Sequence, residues 1–302
     1  MRHFVGLQGC ERARLETLIS QARSFRTRVQ SGEHTLPLLD GRMVALLFHE
    51  PSTRTRFSFE TACHRLGARI LALGAEGSSA AKGETLLDTA RTLQALGADA
   101  LVLRHKTAGA PEQVREALEI PVINAGDGAH EHPTQALLDL LTIGDHFEGF
   151  AGLTVGIVGD TRHSRVARSG TIGLRTMGAR VVYAGPDGLC GSELEGLGAE
   201  RLSDVDSVVS QVDVLMMLRV QHERLKAGLG MDVGDYRSAW GLTERRAEHL
   251  RPHAIVMHPG PLNRGVEIDD AVADGPRSVV FEQMANGVFA RMAVLCEVLQ
   301  AR

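Results

Sequence analysis

Ser52-Thr53-Arg54-Thr55-Arg56 gathers three hydroxyls and two guanidinium groups into five consecutive residues. Such a set offers many hydrogen-bond donors and positive charge, the combination that holds a phosphate. An apolar run at 43–48 precedes it, and a stretch with helical character, 57–67, follows and closes on Gly67. Pro51 suits the intervening turn, and Ser52 and Thr53 are of the residue types that start helices. The amide groups of a helix start are unpaired and electropositive, so Arg54 and Arg56 stand where arginine is normally unfavourable. A bound anion compensates for that conflict. The plainer reading is a capped helix with two solvated arginines.

Other unusual polar residues follow short apolar runs. Residues 100–103 lead into Arg104-His105-Lys106, and 121–124 lead into Asp127, His130, Glu131, His132, Pro133, Thr134 and Gln135. Residues 154–158 lead into Gly159-Asp160-Thr161-Arg162-His163-Ser164-Arg165, and 212–218 into Arg219-Val220-Gln221. Residues 254–256 lead into a segment containing His258-Pro259-Gly260-Pro261 and Arg264. Each could be a solvated loop. Together they describe a cleft between two domains that grips several anionic groups, because arginine donates in a fork matched to carboxylate and phosphate. His130-Glu131-His132 could ligate a metal, but Pro133 starts a helix and places His132 at its N-terminus, which favours a neutral hydrogen-bond donor. Residues 77–85 form a small-residue loop that is not a Walker A loop; it is either idle or swings Lys82 over a ligand. The glycines at 156 and 159 do not complete a dinucleotide fingerprint.

Positioning these residues requires strands that end beside one another. Strand-like runs at 44–48, 69–73, 100–103 and 121–124 alternate with helical patterns at 11–31, 53–66, 84–96, 111–118 and 133–147. A second series follows: strands at 154–158, 180–184, 212–218 and 254–258, and helices at 166–177, 243–250 and 280–299. The pattern predicts an α/β protein of two doubly wound parallel-sheet domains joined by interdomain helices. The expected domains are 1–146, completed by a C-terminal helix at 280–302, and 147–279.

The chain has 302 residues, 43% hydrophobic and 23% charged, with a formal net charge of −4. That is ample for two packed cores, and it supplies no overall basic field for nucleic acid. One Trp and two Tyr provide few stacking platforms for bases. The four cysteines are scattered without a CxxC pair, which disfavours a disulfide framework or zinc site. No signal segment or membrane-length apolar run is evident, so a reduced cytoplasmic setting is expected.

Ser52-Thr53-Arg54-Thr55-Arg56 after Phe48-His49-Glu50-Pro51, His132-Pro133-Thr134-Gln135 and His258-Pro259-Gly260-Pro261 resemble the aspartate/ornithine carbamoyltransferase family, in order and through nearly the whole chain. The ornithine branch carries a His-Cys-Leu-Pro motif where this chain has His258-Pro259-Gly260-Pro261, so the resemblance is to the aspartate branch. It implies transfer of the carbamoyl group of carbamoyl phosphate to L-aspartate, the second step of pyrimidine synthesis, with no metal or organic cofactor. Ser52, Thr53, Arg54 and Thr55 would hold the phosphate with Arg104. Thr55, Arg104 and His132 would face the carbamoyl oxygen, and Gln135 with the carbonyls near Pro259, Gly260 and Pro261 the carbamoyl nitrogen. Arg165 would take the α-carboxylate of aspartate, and Arg219 and Gln221 its side-chain carboxylate.

The resemblance also implies a homotrimer in which Ser78 (or Ser79) and Lys82 reach a neighbouring subunit's site. A larger complex with dihydroorotase or a regulatory chain is compatible with it. Residues 225–236, Gly-rich and charged, are expected to be a loop closing over aspartate. Other readings are an ornithine or other amine acceptor, for which Arg219-Val220-Gln221 has the wrong charge, and a silent scaffold, which would be expected to lack Arg54, His132 or Lys82.

Overall fold

The computed structural model of the chain describes residues 2–74, 83–225 and 230–300. It divides into two compact units, Met1–Leu141 with Ala285–Arg302, and Thr142–Met284.

In the first unit, α1 (Arg12–Gln30) buries Leu15, Leu18, Ile19, Ala22 and Phe25, the spacing of one helical face. There follow β1 (Met43–Phe48), α2 (Thr53–Arg65), β2 (Arg69–Gly74), α3 (Leu86–Ala95), β3 (Ala100–His105), α4 (Ala110–Ala117), β4 (Val122–Asp127) and α5 (Pro133–His146). The sheet order is β2-β1-β3-β4, and every pairing is parallel. The strands are apolar runs without polar alternation because helices cover both faces of such a sheet. Ala45, Leu47, Leu101, Leu103 and Val122 of the strands pack with Ala90 and Leu93 of α3 and Val114 of α4. Each Leu and Val among them contributes about 1.5–3 kcal/mol of burial.

The second unit contains β5 (Thr154–Val158), α6 (Arg165–Met177), β6 (Arg180–Ala184), β7 (Glu200–Arg201), α7 (Val205–Val209), β8 (Val214–Met217), α8 (His222–Arg224), α9 (Val233–Trp240), α10 (Glu244–Ala247), β9 (Ile255–Met257) and α11 (Asp270–Ala273). Its sheet order is β7-β6-β5-β8-β9, again parallel throughout. Val158, Val182, Val208, Leu215 and Val256 lie in its core. The last helix, α12 (Val280–Gln300), crosses the division at Met284, as α5 crosses the one at Leu141. This is the two-sheet parallel α/β architecture that the alternation of apolar runs predicts.

Two expectations fail locally. The 225–236 segment is not a continuous loop, because α9 begins at Val233. Asp232 and Asp235 form a reciprocal capping box at its start, and Tyr236 is fully buried. Residues 226–229 lie outside the described residues. The helix expected over 243–250 shortens to Glu244–Ala247, capped by the Thr243 hydroxyl.

Candidate functional site

In each unit the order of strands reverses once, between β1 and β3 and between β5 and β8. At such a point the two connecting chains leave on opposite faces of the sheet and open a crevice beyond the strand ends. Ser52 to Thr55 and Arg104 follow or end β1 and β3 in the first unit, and Arg165, Arg219 and Gln221 follow β5 and β8 in the second.

In the first unit, Phe48 pairs with Arg104 at the ends of β1 and β3. The turn His49-Glu50-Pro51 then delivers Ser52 as the N-cap of α2, in extended geometry with φ −159° and ψ 101°. The Ser52 side chain makes no capping bond, and the first turn of α2 holds no acidic residue. The helix start is thus left electropositive, as an anion site requires. Thr53 and Arg54 are exposed and Thr55 is buried. Arg56 departs from expectation: its Nε donates to Glu60 at 2.8 Å one turn along.

Arg104 is buried, with Nη1 donating to the Ala125 carbonyl at 3.1 Å and Nη2 to Glu50 Oε1 at 2.9 Å. Two of its nitrogens therefore fix the guanidinium plane. His49 and His105, at the ends of the same two strands, meet edge-on with ring centroids 5.3 Å apart at 66°. Burial pushes the His49 imidazole below its usual pKa, and His105 adds to this. Burial also lowers His105.

His130, Glu131 and His132 diverge. His130 Nδ1 lies 3.1 Å from Asp127 Oδ2, and Glu131 accepts from the Leu7 N–H at 2.8 Å. Asp127 also receives the amides of Gly109 and Glu131 and the side chain of Asn124, which locks the segment before α5. The His132 carbonyl accepts from the amides of Gln135 and Ala136 and starts α5. Its buried Nε2 lies 3.4 Å from Thr55 Oγ1. Gln135 Nε2 donates to Asp139 Oδ1 at 3.0 Å, also buried. The first unit thus brings Thr55 and His132 together, with Arg104 near the end of β3, Arg54 in the first turn of α2 and Gln135 in the first turn of α5.

In the second unit, β5 ends at Gly159, with φ +128° and its Cβ position 3.2 Å from Leu218 Cβ, so only glycine fits. Asp160 receives His163 Nδ1 at 2.8 Å and Arg224 Nη1 at 2.7 Å. Ser164 caps α6, whose first residue is Arg165 and whose first turn lacks an acidic residue, so this helix start is electropositive too. Arg219 and Gln221 are exposed beyond β8, on either side of buried Val220. The Val220 carbonyl accepts from Asn263 Nδ2 at 2.8 Å, which ties this segment to the one after β9.

That segment is organised by His258, fully buried. The Gly260 N–H donates to Nδ1 at 2.8 Å, so the ring proton sits on Nε2 and donates to Glu267 Oε1 at 3.1 Å. Glu267 Oε1 also accepts from the Asn263 N–H at 2.5 Å. Gly260 and Pro261, joined by a cis peptide bond, are held between these anchors. Ser78, Ser79 and Lys82 lie outside the described residues. Sequence reasoning missed the partners Glu50, Asp139 and Glu267; the i, i+4 spacing of Gln135 and Asp139 was the one available signal.

The sheets and strand-end residues define a class: a two-unit parallel α/β protein equipped to hold anions at its switch points. Comparison with known proteins identifies the family. Residues 2–145 match the aspartate/ornithine carbamoyltransferase carbamoyl-P binding domain, and residues 151–298 the Asp/Orn binding domain. The chain belongs to the aspartate/ornithine carbamoyltransferase family.

Among similar proteins, the aspartate carbamoyltransferase catalytic subunit of Magnetococcus marinus is 49% identical over 301 residues, covering 97% of this chain and 92% of that protein. The catalytic subunit of Myxococcus xanthus is 48% identical, covering 98% of both. Aspartate transcarbamoylase from Trypanosoma cruzi in complex with carbamoyl phosphate superposes with a TM-score of 0.90 at 34% identity, covering 99% of this chain and 96% of that one. The ornithine carbamoyltransferase of Pyrococcus furiosus superposes with a TM-score of 0.88 at 31% identity, covering 100% and 98%.

Proposed function

We propose that the chain is an aspartate carbamoyltransferase catalytic subunit. It would transfer the carbamoyl group of carbamoyl phosphate to the amine of L-aspartate, giving N-carbamoyl-L-aspartate and phosphate. The observation that carries this reading is the buried Thr55–His132 pair beside an electropositive helix start at a switch point. The names of the relatives at 46–49% identity support aspartate as the acceptor. So do Arg219 and Gln221, since an ornithine ammonium would call for an acidic partner there. The fold alone does not choose, because both branches superpose closely.

In this reading Ser52, Thr53, Arg54 and Thr55 hold the phosphate with Arg104. Arg165 takes the α-carboxylate of aspartate, and Arg219 and Gln221 the side-chain carboxylate. The neutral amine attacks the carbamoyl carbon, and charge develops on its oxygen. Thr55, Arg104 and His132 donate to that oxygen from fixed positions and stabilise the tetrahedral intermediate. Gln135 and the backbone around Pro259, Gly260 and Pro261 orient the carbamoyl nitrogen. The carbon–oxygen bond to phosphate then breaks, and the departing phosphate accepts the proton lost by the amine. No side-chain nucleophile, metal or organic cofactor is required.

The proposal includes a carbamoyl phosphate-binding domain over 1–146, completed by 280–302, and an aspartate-binding domain over 147–279. It includes a cytoplasmic homotrimer in pyrimidine biosynthesis, with Ser78 and Lys82 contributed by a neighbouring subunit, alone or in a larger complex with a regulatory chain or dihydroorotase. Among the described residues no helix is long and apolar enough to cross a membrane.

Calorimetry with N-(phosphonacetyl)-L-aspartate, the ligand in another Trypanosoma cruzi complex, tests the reading directly. The wild-type chain should bind it, and Arg54→Ala and Arg165→Ala should each weaken it at least tenfold. Unchanged affinity in both variants would overturn the site assignment.

A further inference from the structure

Gln135 lies on α5 one turn before Asp139, and both side chains are buried. A glutamine amide can face either way, since its oxygen and nitrogen have nearly the same shape. An ionised carboxylate accepts hydrogen bonds and cannot donate them. The 3.0 Å contact from Gln135 Nε2 to Asp139 Oδ1 therefore settles the orientation, with the amide oxygen turned away from Asp139.

The charge on Asp139 has its own support. Arg291 of α12 is buried, and its guanidinium lies 5.1 Å over the ring of Phe59. Its Nη1 donates to the Gly287 carbonyl at 2.9 Å. A Cβ at position 287 would stand 2.5 Å from Nη1, so glycine makes room for the guanidinium. Burial pushes Arg291 down to about 9, Asp139 opposes that fall and Arg104 adds to it. Arg291 stays charged near neutrality and attracts the Asp139 carboxylate.

We propose that Asp139, which accepts from Gln135 Nε2, is a positioning residue that presents the amide oxygen of Gln135 to the amino group of the carbamoyl donor. The role is selection as well as orientation. A donor with N–H groups satisfies the fixed acceptor, whereas a methyl group in the same place leaves that oxygen unpaired. This rests on the carbamoyl transfer proposed above and adds a residue that does not touch substrate.

Calorimetry comparing carbamoyl phosphate with acetyl phosphate, which carries methyl in place of amino, tests it. Asp139→Asn keeps the shape but lets the Gln135 amide turn. It should weaken carbamoyl phosphate about tenfold, the value of one hydrogen bond, and leave acetyl phosphate and inorganic phosphate within twofold of wild type. In a Gln135→Ala background Asp139→Asn should have no further effect. If Asp139→Asn does not fold, Asp139→Asn/Arg291→Met removes both buried charges together and should show the same selectivity. Equal weakening of carbamoyl and acetyl phosphate, or no weakening of either, would overturn the proposal. A wild-type chain that binds no carbamoyl phosphate would instead refute the transfer reading itself.

Discussion

Thr55 Oγ1 and His132 Nε2 lie 3.4 Å apart in a buried setting, one on the first turn of α2 and the other on the residue before α5. Two helix starts are thereby brought together by side chains far apart in sequence. Away from bulk water, donors fixed in this way need little reorganisation when charge develops beside them.

His132→Ala removes one such donor. Turnover should fall at least a hundredfold, a loss of about 3 kcal/mol of transition-state stabilisation. Thr55→Ala should act in the same direction, and the double variant should lose less than the sum because the two groups share a contact. Steady-state assays of carbamoyl aspartate formation check this. Near wild-type turnover in His132→Ala would remove the histidine from the mechanism.

Lys82 is proposed to act on a neighbouring subunit's site. Lys82→Ala and Arg54→Ala chains should each be nearly inactive alone. Mixed, dissociated and reassociated, they should regain a measurable fraction of activity, because some sites then carry neither substitution. No recovery would argue that each chain supplies its own lysine.

The β1-turn-α2 motif was legible because each local signal agreed: an apolar strand, Pro51, N-cap residue types and then helical spacing. Its arginines were half legible. Arg56 and Glu60 stand at i, i+4, a spacing that would have predicted their ion pair, while Arg54 has no such neighbour on α2. The start of α9 is less legible: Asp232 and Asp235 have capping spacing, but Gly228 and Gly230 just before them are weak helix formers and favour a loop. Long-range partners such as Arg104–Glu50 and His258–Glu267 leave no local trace, since tertiary packing alone brings them together. Periodicity set the helices and strands, but not which buried charge meets which.

His258 is the anchor of the segment after β9. His258→Ala should destabilise the chain by about 2–3 kcal/mol, because the buried Glu267 loses the neutral ring N–H that donates to it. Urea denaturation followed by circular dichroism reads this as a lower midpoint with an unchanged slope. A loss below 1 kcal/mol, about the value of an exposed pair, would mean that Gly260 and Asn263 hold the segment without the imidazole.

His49 and His105 carry a pH dependence whose sign follows from their lowered pKa values. The unfolded chain takes up protons near pH 6.5, before the folded imidazoles do. Their contribution to stability is therefore complete above about pH 6.5 and falls as pH drops through the folded values. The denaturation midpoint should fall as pH is lowered from 7 to 5, and His49→Gln should fall less steeply. In NMR titration both rings should titrate below the free-histidine value. A ring titrating above it would contradict the burial argument.

The central claim is most directly tested by product formation with purified chain, carbamoyl phosphate and either L-aspartate or L-ornithine. The account predicts N-carbamoyl-L-aspartate with aspartate, no citrulline with ornithine, and loss of aspartate turnover in Arg219→Ala. Citrulline formation, or no product with either amine, would contradict it.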